Sequence, residues 1–267
     1  MDEAVVIIEQ QGGVRMLTLN RPQALNSFTA AMHAELMAGL DAAAAADDVR
    51  CVVITGAGRG FCAGQDLGDP GAAPNPDPHG PPTDIGALIE RFYTPLALRL
   101  ASMPVPVLAA VNGVAAGAGA NMALGCDIVV ASRNASFIQA FTKIGLVTDC
   151  GGSWLLPRLV GRARALGLAM LGDKLPAEEA ERIGLIWKCV DEAAFRSEVD
   201  AIAARLAAMP TKALVATRRA IDAAQHLDFE GALGNEASLQ TTLGSSHDYL
   251  EGVAAFMAKR APTFKDR

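Results

Sequence analysis

Three glycine-rich segments hold the positions at which this chain could meet a ligand with bare backbone. The first is Gly56-Ala57-Gly58-Arg59-Gly60-Phe61-Cys62-Ala63-Gly64-Gln65-Asp66-Leu67 and the second is Asn112-Gly113-Val114-Ala115-Ala116-Gly117-Ala118-Gly119-Ala120-Asn121. The third, residues 145–154, places Asp149 just ahead of Gly151-Gly152. Without a β-carbon, backbone N–H groups approach a bound group closely. The second segment lies between a buried strand run and a helix start, so free N–H groups and the positive end of a helix dipole face whatever occupies the crevice. Taken singly, each segment is equally a packing turn, and an Asp before Gly-Gly is commonly a turn or cap residue. Together, two oriented N–H donors and one carboxylate compose an oxyanion hole with an acid/base, the minimum apparatus for enolising a carbonyl compound.

Other chemistries are poorly served. The first segment has GxGxG followed by Phe61 and no helix start, which fails the dinucleotide fingerprint and disfavours a nucleotide-dependent oxidoreductase. No Gly-Lys-Ser/Thr or GxSxG is present, so neither a P-loop nor a serine hydrolase elbow is supplied. His33, His79, His226 and His247 lack metal-ligand spacing and read as surface or structural residues, so no metal site is expected.

The elements that must position these segments alternate. Residues 4–9 and Val14–Leu19 are β-rich runs around a Gly12-Gly13 hairpin signal, and residues 28–46 carry apolar side chains at helical spacing. A strand at 51–55 leads into a long Gly/Pro/Asp-rich loop, 56–83. Helix 85–101, strand 105–111, a short helix ending at Leu124 and strand 127–131 follow. From Trp154 onward the pattern is mainly helical, with helices at 176–183, 193–208, 211–224 and 229–243. No internal repeat is evident. The expected fold is α/β, a largely parallel, layered sheet core followed by a helical C-terminal region. It divides into residues 1–200 as the ligand-binding core and 201–267 as a helical appendage.

Composition narrows the partners. With 267 residues, 51% hydrophobic and 26 glycines, the chain can bury a large core without staples. A net charge of −6 and no basic block argue against a grip on nucleic acid phosphates. Five widely spaced cysteines without CxxC, and an acidic Met1-Asp2-Glu3 start without a leader pattern, suggest a reduced, cytoplasmic protein. Residues 101–126 are uncharged and long enough to span a bilayer, but Pro104, Pro106, Asn112, Asn121 and four glycines break them into strand, turn and helix start, so no membrane role is expected.

Several motifs, in order along nearly the whole chain, carry a resemblance. They are Leu19-Asn20-Arg21-Pro22 with Leu25-Asn26-Ser27, Gly60 through Leu67, Asn112-Gly113 through Gly119, Gly151-Gly152, and Phe256-Met257-Ala258-Lys259-Arg260. Together they resemble the crotonase (enoyl-CoA hydratase/isomerase) superfamily. Cys62 through Leu67, taken with Asp149 through Arg158, are most similar to the branch that isomerises a ring epoxide of an arylacetyl-CoA in aerobic phenylacetate breakdown.

The resemblance implies roles. The backbone N–H groups of Gln65 and Ala118 would hold a thioester oxygen, each such donor contributing about 3 kcal/mol in the transition state. Hydratases of the superfamily carry two glutamates where this chain has Asn121 and Phe141, so the means to deprotonate a water is missing. Asp149 matches the acid/base position of isomerase relatives. The Ala63 carbonyl would meet the adenine, with Phe256 and Lys259 near the nucleotide. Asp66, Leu67 and Asn121 would touch substrate. For Asp66 the alternative is a cap or loop brace, for Asn121 a helix cap, and for Lys259 a solvated charge. Coenzyme A would enter as part of the substrate, with no separate cofactor, and the assembly implied is a homotrimer or dimer of trimers joined through the C-terminal helices. An acyl-CoA isomerase is therefore expected. The alternatives are a Δ3,Δ2-enoyl-CoA isomerase, an enoyl-CoA hydratase, and a non-catalytic binding homologue, which the hole positions, Asp149 and the acidic charge oppose.

Overall fold

A computed structural model describes residues 4–267 except 76 and 78, so the acidic start Met1-Asp2-Glu3 lies outside the described residues. Strands β1 (Val6–Gln11) and β2 (Val14–Leu19) form the antiparallel hairpin expected from Gly12-Gly13. Helix α1 (Ala30–Ala45) follows, capped by Thr29, whose hydroxyl accepts from the Met32 N–H at 3.3 Å. Strand β3 (Cys51–Gly56) then runs parallel to β2.

The stretch expected to be one long loop contains a short strand, β4 (Gly60–Cys62). The same step recurs twice. Strand β5 (Val107–Val111) turns into β6 (Val114–Ala116), and β7 (Ile128–Ser132) into β8 (Ser136–Ile138), each across two or three corner residues. The chain thus has a structural repeat with no counterpart in its sequence, because three-residue strands carry no readable period. The long strands lie in a six-stranded sheet ordered β1-β2-β3-β5-β7-β10, and the short ones in a second sheet ordered β4-β6-β8-β9. Strands β9 (Leu175–Pro176) and β10 (Lys188–Val190) complete the two sheets.

Side chains of the long strands alternate between two apolar layers. Leu17, Val52, Ile54 and Ala109 face one core, while Met16, Cys51, Val53 and Leu108 face the other. Both faces are covered, which is why these strands read as unbroken hydrophobic runs. Among the helices, the segment expected at 85–101 is α2 (Ile85–Leu88), a π turn (Ile89–Tyr93) and α3 (Thr94–Ser102) in succession. Helix α4 (Ala118–Leu124) follows β6, and α5 (Gly152–Leu171) starts two residues before the expected helical half, with non-helical backbone at Gly161 inside it.

Helices α6 (Ala177–Arg182) and α7 (Glu192–Ala208) come next, the latter packing Val199, Ala203 and Leu206 onto the second core. Position 200, where the sequence suggested a division, lies within α7. Helices α8 (Thr211–Ala224), α9 (Phe229–Gly244) and α10 (His247–Met257) form the C-terminal region. Arg50 ties it back to the core by donating to the Ala207 and Met209 carbonyls at 2.7 and 2.9 Å. Helix α9 buries no residue, and Phe229 and Phe256 stand about 80% exposed. All five cysteines are free thiols, and among the described residues no helix is long and apolar enough to cross a membrane.

Candidate active site

The first corner is locked by two asparagines. Asn112 accepts from the Gly56 N–H and donates to the Gly58 and Gly60 carbonyls, while the buried Asn26 donates to the Ala57 and Gly60 carbonyls and accepts from the Arg21 N–H. These bonds hold the turn from β3 into β4, and with it the segment that follows.

Gly64 has φ +88°, and a β-carbon on it would lie 2.9 Å from the Ala116 carbonyl oxygen and 3.6 Å from the Ala118 nitrogen. Only glycine meets both conditions, and its use seats the Gln65 segment against the start of α4. The Phe28 N–H donates to the Gly64 carbonyl at 2.7 Å and the Asp66 N–H to the Phe28 carbonyl at 2.9 Å. This leaves the intervening Gln65 N–H turned to the opposite side of the segment. Among the described residues it finds no protein acceptor, and neither does the Ala118 N–H in the first turn of α4.

Asp149 sits two residues before Gly151, the cap of α5. Its Oδ1 is buried and has no hydrogen-bond partner among the described residues. Burial pushes its pKa up to about 6, its own backbone N–H pulling weakly the other way.

Asn121 joins the two segments. Its fully buried amide donates to the Thr148 hydroxyl at 3.0 Å and the Asp149 carbonyl at 2.8 Å, and accepts from the Gln139 amide at 2.8 Å. The Thr148 hydroxyl closes the ring by donating to Gln139 Oε1 at 3.1 Å. Asn121 was expected to touch substrate or cap its helix. Its polar atoms are instead committed to this ring, and it fixes the backbone that carries Asp149.

The other expected positions divide. Asp66 is a brace: it accepts from Gly68 N–H at 3.0 Å and Arg21 Nη2 at 2.9 Å, and these bonds hold its carboxyl below the usual range. Arg21 also donates to the Ser27 carbonyl at 2.7 Å, which gives the Leu-Asn-Arg-Pro motif its purpose. Ala63 donates to the Leu25 carbonyl, while its own carbonyl is unpartnered among the described residues. Leu67 is exposed and Phe141 is buried, a β-carbon at Gly117 falling 3.7 Å from its ring.

Phe256 belongs elsewhere within a single chain. With Pro210, Tyr249 and Phe264 it lines a cavity of about 410 Å³ among the C-terminal helices, and Lys259 follows just past α10 with φ +51°. A larger cavity, about 960 Å³, is lined by Asn121, Cys150, Gly151, Trp154, Arg158 and Arg218 among others. Beside the smaller cavity, His247, Asp248 and Asp266 gather, with Asp248 accepting from the Lys265 and Asp266 N–H groups.

Sequence reasoning missed Tyr93, whose buried hydroxyl donates to Gln65 Oε1 at 2.7 Å. The available signal was Pro95 inside a helical pattern, since a missing N–H disturbs the turn before it.

The paired sheets joined by strand corners and followed by C-terminal helices are the crotonase architecture. The model of the family described as enoyl-CoA hydratase/isomerase matches residues 9–267. The chain is 51% identical over 259 residues to the 1,2-epoxyphenylacetyl-CoA isomerase of Escherichia coli K12, covering 97% of each protein. It is 34% identical over 262 residues to the 2,3-dehydroadipyl-CoA hydratase of the same organism, covering 98% of this chain and 99% of that one. The crystal structure of an enoyl-CoA hydratase/isomerase family protein from Mycobacterium abscessus superposes with a TM-score of 0.91 at 37% identity, covering 98% of this chain and all of the other. The chain belongs to the enoyl-CoA hydratase/isomerase family, a family of enzymes.

Proposed function

We propose that this protein is an acyl-CoA isomerase that converts a ring-1,2-epoxide of phenylacetyl-CoA to the corresponding oxepin-CoA, as part of aerobic phenylacetate catabolism. The thioester oxygen is held by the Gln65 and Ala118 N–H groups. Charge develops on that oxygen when a proton leaves the α-carbon, so two fixed donors lower the barrier to enolisation. Asp149 takes the proton and returns it to a ring carbon. The bond between the two epoxide carbons breaks, a carbon–carbon double bond forms at the α-carbon, and the product is an isomer of the substrate.

One observation carries the reading: Asp149 is a half-buried carboxyl with an unpartnered oxygen and a pKa raised to about 6, suited to both accepting and returning a proton near neutrality. Asn121 and Phe141 supply no second carboxylate, which favours isomerisation over water addition. The name of the 51% identical Escherichia coli relative supports the epoxide as substrate. The same single acid would serve a Δ3,Δ2-enoyl-CoA isomerase. Ala63, with its unpartnered carbonyl, is assigned to the adenine, and the exposed apolar residues of α9 and α10 to contacts with further copies of the chain in a homotrimer or dimer of trimers.

The test supplies purified protein with the ring epoxide of phenylacetyl-CoA and, separately, with a 3-enoyl-CoA. Oxepin formation on the first is expected. Turnover of the 3-enoyl-CoA alone would transfer the assignment to the second reading, and turnover of neither would overturn both.

A further inference from the structure

The side chain of Gln65 is held at three points. Its Nε2 donates to the Phe28 carbonyl at 3.1 Å and to the Asp66 carbonyl at 3.2 Å, and its Oε1 accepts from the Tyr93 hydroxyl at 2.7 Å. The first two bonds bind the segment to itself and to its neighbour. Only the third comes from a separate helical element. We propose that Tyr93 is a positioning residue that fixes the direction of the Gln65 N–H through the Gln65 side chain. The proposal rests on the role given to that N–H above.

Tyr93 is built to hold still. It is 1% exposed, and its ring stands edge-on to His33 at 4.6 Å and to Phe28 at 5.7 Å. His33 is itself stacked on Phe28 at 4.5 Å and on Phe92 at 4.9 Å. Two rings therefore pack edge-on against the phenol, with Phe92 stacked behind His33, and Phe28 is the residue whose backbone brackets Gln65 on either side. Burial above all, then Cys62 and Asp149 nearby, raise the Tyr93 pKa, so its hydroxyl remains a donor at any working pH.

The backbone that delivers Tyr93 is a π turn. The Thr94 N–H returns to the Ile89 carbonyl, five residues back, just ahead of Pro95. Proline cannot donate to the preceding turn, and a π turn is one way for a helix to absorb that loss. Such turns recur at functional sites. Here the last residue of the widened turn is the one that reaches Gln65. A flexible Gln65 peptide would still bind a thioester but would lose alignment with the oxyanion, so the contribution of Tyr93 falls on the chemical step.

Tyr93→Phe keeps the ring and removes the bond. The probe is phenylacetyl-CoA carrying ¹³C at the thioester carbonyl, read by infrared difference spectroscopy, alongside turnover on the substrate. Wild-type protein should shift the carbonyl band to lower frequency. The variant should bind within about twofold, lose much of that shift, and lose about tenfold in kcat at nearly unchanged KM. Gln65→Met leaves the backbone N–H but removes all three side-chain bonds, so it should lose at least as much as Tyr93→Phe, and Tyr93→Phe should cost nothing further in that background. If Tyr93→Phe does not fold, Tyr93→4-fluorophenylalanine, which fills the place of the hydroxyl and cannot donate, must show the diminished shift. A full shift and full kcat in Tyr93→Phe, or an equal further loss in the Gln65→Met background, would overturn the proposal. Absence of any band shift in the wild type would instead overturn the oxyanion hole, and the proposal with it.

Discussion

Replacing Asp149 with asparagine should remove activity and, above pH 6, make the protein more stable. Burial raises the carboxyl from an unfolded value of 3.8 to about 6 in the folded chain. Because the folded value is the higher one, the native state favours the protonated acid. No penalty is present below about pH 4. It grows between pH 4 and 6 and is complete above, where the folded protein must hold a half-buried charge. A shift of this size corresponds to about 3 kcal/mol for a fully shielded group, and partial exposure of Asp149 reduces this to about 1–2 kcal/mol. Asparagine keeps the shape and never ionises. Urea unfolding of wild type and Asp149→Asn at pH 8 and at pH 4 separates the charge from every other effect of the amide, since only the charge depends on pH. The variant should gain about 1–2 kcal/mol at pH 8 relative to its difference at pH 4, while kcat falls by roughly 10²–10⁴ and acyl-CoA binding is retained. An identical stability difference at the two pH values would refute the buried-charge reasoning, and retained turnover would remove Asp149 from the mechanism.

Other perturbations have equally direct outcomes. The rate at limiting substrate should rise with pH through about 6 as Asp149 ionises, and a profile flat from pH 5 to 8 would exclude it as the base. Asn121→Leu removes the donations to the Thr148 hydroxyl and the Asp149 carbonyl, and chemical denaturation should register a loss of about 2–4 kcal/mol with kcat reduced more than KM. Gly119→Ala would place a β-carbon 2.4 Å from the Cys62 carbonyl oxygen, so thermal melting should show a loss of about 3 kcal/mol or failure to fold. Gly167→Ala, in α5 with nothing within 4 Å of the added carbon, should instead stabilise by about 0.5–1 kcal/mol. Arg21→Met should cost about 1 kcal/mol in urea at pH 7. Because its bond to Asp66 helps hold that carboxyl low, the Asp66 part of the loss should fade as pH falls below 4.

The sequence made the long elements legible because their periods are long enough to read. Strands β2, β3 and β5 appear as apolar runs, and the Gly12-Gly13 hairpin and the C-terminal helices fall close to their expected places. The second sheet was hidden: β4, β6 and β8 are three residues each, and their corners look like glycine turns. The site divides along the same line. Its glycines and Asp149 announce themselves locally. Asn121 does not, since its partners Gln139 and Thr148 lie 18 and 27 residues away. Nor does Tyr93, which lies 28 residues from Gln65 and meets it only in the folded chain.

The Asn121 ring also bears on how readily this scaffold could acquire a different reaction. The resemblance implies that water-adding relatives carry carboxylates where this chain has Asn121 and Phe141. Installing a glutamate at 121 would withdraw both donors from Thr148 and from the Asp149 carbonyl, and would set a second negative charge beside an acid already pushed to about 6. The first change loosens the segment that carries Asp149, and the second drives the Asp149 pKa still higher. Exchange of function at this position is therefore a valley crossing: the first substitution weakens the reaction proposed for Asp149 before a second at 141 can complete the new one. Laboratory selection for hydration from this starting point should recover changes at 139 and 148 together with 121, because the three side chains form a single hydrogen-bonded unit.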